Sequence, residues 1–348
     1  MEYNMLFRLL SLLLAVTSTS TFFVSGSLQE ADDQLPDYLI VGAGGSGIQL
    51  ALFLQKYGYS YTILEKEDVV GSFWTRFPVF GELISVNKWT RNEKERLRYD
   101  WHSMLEAPLQ MLNITEDYFP QGRDWHNYMS RVVELAGINV EHGVEVQRID
   151  GNGKPCVTTV DGQERCAKRR VFVGTGLKEK EEPFLQALGG IPYSQFTKEM
   201  ARHRRVCILG NGNSGFEVAQ NIVDVAERIT IYGKQPHRLS SVTRYTGDVR
   251  VKYLQVLENM NAKLLDTVDS FADVPPPVSK GLERVLNESQ INEVHSLFRT
   301  ASWLSQFECE TFVITTGFKS QVPGGLTVNS TFPPTADWYQ STENPSVH

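Results

Sequence analysis

The sequence predicts an α/β fold. It reads as two Rossmann-like dinucleotide-binding domains, three-layered around parallel sheets, with a strand meander and the second domain inserted in the first. Three observations predict this. The fingerprint G-x-G-x-x-G occurs twice, as Gly42-Ala43-Gly44-Gly45-Ser46-Gly47 and as Gly210-Asn211-Gly212-Asn213-Ser214-Gly215. Each copy follows an apolar run, Tyr38–Val41 or Val206–Leu209, and opens a helix-like stretch, Ile48–Leu54 or Phe216–Ile222. Two further apolar runs end in Thr-Gly, at Gly174-Thr175-Gly176 and at Thr315-Thr316-Gly317.

The chemistry of the fingerprint follows from its spacing. The first glycine turns the chain tightly out of the strand. The second lets a pyrophosphate approach the backbone, and the third lets the helix pack close to the sheet. The diphosphate charge then meets unpaired N–H groups at the helix N-terminus. One such motif is a weak signal; two in strand–turn–helix context indicate two dinucleotides.

The position 23 residues after each first glycine distinguishes the sites: it is Glu65 in the first and Gly233 in the second. A carboxylate at Glu65, beside Lys66, accepts hydrogen bonds from ribose hydroxyls, as FAD or NAD requires. At the second site Lys234 follows directly, with His237 and Arg238 close behind. Cations there suit a 2′-phosphate, which a carboxylate would repel. The first site is therefore read as FAD and the second as NADPH.

Composition sets the frame. At 348 residues the chain is long enough for two domains, and 22% charge with 41% hydrophobic residues describes a folded globular protein. A net charge of −7 offers no general attraction to nucleic acid or acidic lipid. Residues 1–27 carry Arg8, the apolar core Leu9–Val16 and a small-residue end at Val24–Gly26. They read as a cleaved secretory signal, too short to span a bilayer. Sequons at Asn113, Asn287 and Asn329 agree with that route.

Of the four cysteines, none forms C-x-x-C, so a dithiol redox motif is not expected. Cys207 reads as buried packing. Cys156 and Cys166 flank an Asp161-Gly162 turn, which leaves a cross-strand disulfide and two thiols both open. No metal-ligand spacing is present.

Along the chain, residues 124–137 read as a helix stopped by Gly137, and Val140–Ile149, Cys156–Val160 and Ala167–Val173 as a small strand meander. A linker holding Pro183 and Pro192 precedes the second fingerprint. The expected division is a signal at 1–27, an FAD domain at 34–176 and 310–348, and an NADPH domain at 177–309.

The double fingerprint, both strand–Thr-Gly crossovers and Gly71-Ser72-Phe73-Trp74 resemble the flavin-containing monooxygenase class of FAD/NADPH proteins. Gly71–Pro78, Leu83–Lys88, Arg98–Ser103, Gly212–Ile222 and Tyr245–Arg250 are closer to one branch, the endoplasmic-reticulum flavoproteins associated with degradation (the FAD-dependent oxidoreductase domain-containing family). The resemblance runs from about residue 36 onward. It implies an FAD-dependent oxidoreductase of the ER lumen with glycoprotein-degradation components as partners. It also implies that Gly71, Phe73, Trp74 and Arg76 lie by the flavin, and that the Val146 backbone contacts adenine. Gly174, Thr175 and Gly176 belong to the same cofactor set. Asn87 matches an asparagine at the reactive flavin edge, whose amide would hydrogen-bond flavin-bound oxygen.

Two departures from that pattern matter. An FAD domain of this class closes with a strand and a Gly-Asp turn, and Glu343–His348 stand where that strand would start. The closing strand is read as missing. A K-D-E-L type ending is also absent. Three readings follow: an FAD-dependent, NADPH-using oxidoreductase with its electron acceptor open; a monooxygenase acting on nitrogen or sulfur of small molecules; or a non-catalytic scaffold. Residues 191–196 lack the histidine signature of Baeyer–Villiger oxygenases.

Overall fold

A computed structural model describes residues 34–83, 87, 92, 102–149, 155–233, 262–265, 301–321 and 323–324. The chain forms two compact units. The first comprises residues 1–69, 137–175 and 322–348; the second comprises 70–136 and 176–321.

The first unit begins with β1 (Tyr38–Val41), α1 (Gly45–Lys56) and β2 (Tyr61–Leu64). Helix α1 extends the expected helix by three residues toward the fingerprint, so Gly45 is its first residue and Gly44 its N-cap. The second unit contributes α2 (Gly122–Ala136). Next in the chain come β3 (Val140–Glu141), β4 (Val146–Ile149), β5 (Cys156–Thr159), β6 (Glu164–Cys166) and β7 (Arg170–Val173). The parallel sheet has the order β3-β2-β1-β7, with β1 paired to β2 on one side and β7 on the other. The expected meander is reduced to β4-β5-β6, an antiparallel sheet. Its predicted flanks join the parallel sheet instead, because Val140 pairs with Ile63 and Val171 with Leu39. Leu39, Val41, Leu64, Ile149, Val157 and Val171 form a buried core.

The second unit holds β8 (Leu177–Glu179), α3 (Pro183–Ala187), β9 (Gly190–Pro192), β10 (Arg205–Leu209), α4 (Asn213–Ile222), β11 (Arg228–Tyr232), β12 (Ala262–Leu265), β13 (Thr311–Ile314) and β14 (Phe318–Ser320). Its parallel sheet has the order β12-β11-β10-β13-β9. Pro183 opens α3 at a position where a missing N–H costs little. Alternate β10 side chains face opposite layers. Val206 and Ile208 pack with Phe216 and Ile222 of α4, whereas Cys207 packs with Trp303 and Phe312. Trp303 lies in a helical segment, residues 301–306, so the unit has helix on both sheet faces. That is the three-layer arrangement a buried parallel sheet requires.

Two differences from the sequence reading concern this unit. The chain was expected to return to the first domain at 310, but β13 pairs in parallel with β10, and residues 310–321 stay with the second unit. Residues 70–136 also group with it. The cysteines pair as Cys156–Cys166 and Cys207–Cys309. The first pair resolves the open alternative across β5 and β6. The second corrects Cys207 from plain packing to one end of a long cross-link. Among the described residues, no helix is long and apolar enough to cross a membrane.

Candidate functional site

Both fingerprints sit at the carboxyl end of the strand where their sheet's order reverses, the position at which open α/β sheets bind ligands. The two turns are built alike. Gly42 N donates to Leu64 O at 2.8 Å, and Gly210 N donates to Tyr232 O at 2.7 Å. On the opposite side, Gly174 N donates to Val41 O and Thr315 N to Leu209 O, both at 2.8 Å.

The glycines divide by role as their chemistry demands. A Cβ on Gly42, whose φ is +102°, would lie 2.6 Å from Gly174 O, and one on Gly47 would overlap the Gly42 carbonyl. In the second unit a Cβ on Gly210, at φ +123°, would overlap Thr315 O, and one on Gly215 would overlap Gly210 O. The middle glycines differ. A Cβ on Gly44 or on Gly212 would meet nothing within 4 Å. Outer glycines are thus fixed by packing, and the middle glycine of each turn faces open space that a pyrophosphate can fill. Ser46 and Gly45 lie in the first turn of α1, and Asn213 and Ser214 in the first turn of α4. Their backbone N–H groups are among those a helix start leaves without intrahelical partners.

Glu65 directly follows β2 and is 6% exposed. Its Oε2 accepts from Ala43 N at 2.7 Å, and its Oε1 from Glu67 N at 3.0 Å. Each carboxylate oxygen keeps a further lone pair, so the group can still receive ribose hydroxyls. Glu65 O also accepts from Val144 N at 2.9 Å, which brings the start of β4, and Val146, beside the first fingerprint. Gly174 and Thr175 close the opposite side. Lys66 is exposed and pairs at 3.9 Å with Glu67. At Gly233, the position equivalent to Glu65, the space is taken by the Asn211 side chain. Lys234 and Arg238 lie outside the described residues.

The segment from Gly71 folds as a 3-10 turn, Ser72–Thr75. Gly71 has φ +62°, and a Cβ there would run into Met129 of α2. Phe73 contacts Trp74 and Phe318 edge-on, Trp74 contacts Trp125, and Arg76 is exposed. Asn87 is 1% exposed. Its Nδ2 donates to Thr115 O at 3.1 Å and to Asp117 O at 2.7 Å. Flipping the amide would oppose oxygen to two carbonyls, so the network fixes its orientation. Both N–H bonds of the amide are therefore engaged, and only the buried Oδ1 has no hydrogen-bond partner. The N–H bonds that the expected role of Asn87 calls for are thus directed at these two carbonyls.

Sequence reasoning missed Tyr193, Glu217 and Thr315. Tyr193 donates to Glu217 Oε2, and its oxygen accepts from Val79 N at 2.9 Å. Glu217 Oε1 accepts from Phe80 N at 2.8 Å. Burial is the largest influence on the Glu217 carboxyl and pushes it up to about 7; burial likewise raises the Tyr193 phenol. Tyr193, Ser214, Lys180, Thr315 and Gly317 line a shallow cleft at the end of β13 and the start of α4. Only the repeated Thr-Gly ending signalled Thr315 in advance.

Residues 39–324 match the pyridine nucleotide-disulphide oxidoreductase family. This chain belongs to that family. It is 33% identical over 281 residues to FAD-dependent oxidoreductase domain-containing protein 2 of Danio rerio, covering 76% of this chain and 40% of that protein. The Mus musculus protein of the same name is 32% identical over 247 residues, covering 66% of this chain and 37% of the relative. The chain thus spans about two fifths of the length of these relatives. The fold resembles a solved flavin-containing monooxygenase from Stenotrophomonas maltophilia, with a TM-score of 0.57 at 19% identity, covering 90% of this chain and 88% of that one. The family assignment rests on the sequence match, and the solved structure bears on the fold alone.

Proposed function

We propose that this chain is an FAD-dependent oxidoreductase that draws electrons from NADPH. One observation carries the reading: two glycine cradles of the same construction, each with its middle glycine open, with a carboxylate at the strand end of the first alone. Gly42, Gly44, Gly47 and Glu65 would hold FAD. Gly210, Gly212, Ser214 and Gly215 would hold NADPH, with Lys234 and Arg238 on its 2′-phosphate. When bound, the flavin supplies the hydride-accepting and electron-passing chemistry. The protein's part is to present backbone N–H groups to both pyrophosphates and to orient the two rings.

The terminal acceptor is oxygen or an external disulfide. The four cysteines are paired in two disulfides, one across β5 and β6 and one joining Cys207 of β10 to Cys309, two residues before β13.

The setting we infer is the secretory pathway, in the ER lumen, with components of glycoprotein disposal as partners. The signal-like residues 1–27, two disulfides, and an exposed sequon asparagine, Asn113, support this. Lys234→Glu tests the nucleotide assignment. It is expected to weaken NADPH binding far more than NADH binding, and equal losses would remove the case for the 2′-phosphate.

A further inference from the structure

Glu217 sits on α4 one helical turn beyond Ser214, with its carboxyl turned against Tyr193 and Phe80. It receives two hydrogen bonds, and among the described residues no cation contributes to its surroundings. The titratable groups that face it are Tyr193, from the segment after β9, and Glu82, from the segment that also supplies Phe80. Glu82 makes ionisation harder, and the Tyr193 hydroxyl makes it easier. Ser214, in the second fingerprint, lies beside the same Tyr193 oxygen.

This places an uncompensated carboxylate within a helical turn of the amides meant for a pyrophosphate. A bound dinucleotide brings several negative charges to that helix start, and like charges so close oppose each other. We propose that Glu217 is a positioning residue for the second dinucleotide, taking up a proton when NADPH binds and releasing it when NADP+ leaves an ionised site. The proposal rests on the second fingerprint being the NADPH site.

Protonation also reverses the Tyr193 contact. Ionised Glu217 accepts from the Tyr193 O–H. Neutral Glu217 can instead donate from Oε2 to the Tyr193 oxygen while Oε1 keeps the Phe80 N–H. The phenol proton is then released from Glu217 and can turn toward Ser214 and the cleft. One proton thus removes a repulsive charge and supplies a donor on the nucleotide side. The carboxyl, at about 7, is poised where small changes of charge nearby move it across neutrality.

The test is titration calorimetry of NADPH and of NADH on the purified FAD-loaded chain. It would run from pH 6 to 9 in buffers of different ionisation enthalpy, with Glu217→Gln and Tyr193→Phe alongside. NADH removes the ligand's own 2′-phosphate titration from the comparison. We expect the wild type to take up a fraction of a proton near pH 7 and to lose up to about tenfold in affinity per pH unit above it. Glu217→Gln should bind with a flattened profile and without that proton. Tyr193→Phe, which deletes a bond favouring ionisation, should move the profile to higher pH. It keeps the proposal falsifiable if the glutamine variant does not fold. An unchanged profile and proton count in Glu217→Gln, or no displacement in Tyr193→Phe, would overturn the inference. Absence of NADPH binding at every pH would instead refute the nucleotide assignment itself.

Discussion

The Glu65 carboxylate reaches back across the first dinucleotide turn and accepts the Ala43 amide at 2.7 Å. In the second unit the reach runs the other way. Asn211, the residue equivalent to Ala43, lays its side chain over Gly233, the residue equivalent to Glu65. One strand end thus carries a buried carboxyl group and the other none. That difference is the physical basis for giving the two turns different nucleotides.

Replacing Glu65 should therefore act on one site only. Glu65→Ala leaves the Ala43 and Glu67 amides without their partner and removes the ribose acceptor. Hydrogen bonds to charged groups are worth about 1.5–3 kcal/mol each, so FAD affinity should fall at least tenfold. NADPH binding to the second unit should be unchanged. Fluorescence titration with each nucleotide checks both halves.

The glycines of one turn should fail in different ways. Gly44→Val points into open space, so the apoprotein should keep its melting temperature while losing bound flavin. Gly47→Ala presses a methyl group on the Gly42 carbonyl and should cost about 1–3 kcal/mol of stability before any ligand is added. Thermal melts with and without FAD separate the two. A stable Gly44→Val protein that retains full flavin would contradict the site assignment.

Much of this site was legible because it is local. Gly42, Gly44, Gly47 and Glu65 fall within one strand–helix–strand unit, where spacing along the chain is spacing in space. The same holds for Gly210–Gly215. What escaped depends on contacts between distant residues. Glu217 reads as an ordinary helix acid until Tyr193, 24 residues earlier, and Phe80, 137 earlier, enclose it. Cys207 and Cys309 are 102 residues apart, and β13 declares its sheet only by pairing with β10. Asn87 was recognisable as a position but not as a donor already engaged by two carbonyls.

The raised Glu217 carboxyl has a consequence for stability. Its ordinary value is 4.5 and its folded value about 7, so the folded state holds the proton more tightly over that window. Stability contributed by this group should be full below pH 4.5 and decline as pH rises toward 7. Asp37, Asp161 and Asp224, which hydrogen bonds hold below the ordinary carboxylate range, act oppositely but at lower pH. Chemical denaturation of the wild type at pH 5 and 7 should show the decline. Glu217→Gln should flatten it.

The two disulfides should contribute unequally. Cys207–Cys309 closes a loop of 102 residues and Cys156–Cys166 one of 10. Chain entropy assigns about 4–5 kcal/mol to the long loop and about 3 kcal/mol or less to the short one. Denaturant midpoints of Cys207→Ala/Cys309→Ala and Cys156→Ala/Cys166→Ala double variants check the order, with the larger fall expected for the first.

The most direct test of two nucleotide sites acting in sequence is the visible absorption spectrum of the purified chain, recorded with FAD and again after NADPH is added without oxygen. A flavin spectrum that bleaches with NADPH, and only slowly with NADH, is the predicted result. A chain that takes up no flavin, or whose bound flavin keeps its colour in excess NADPH, would contradict the account.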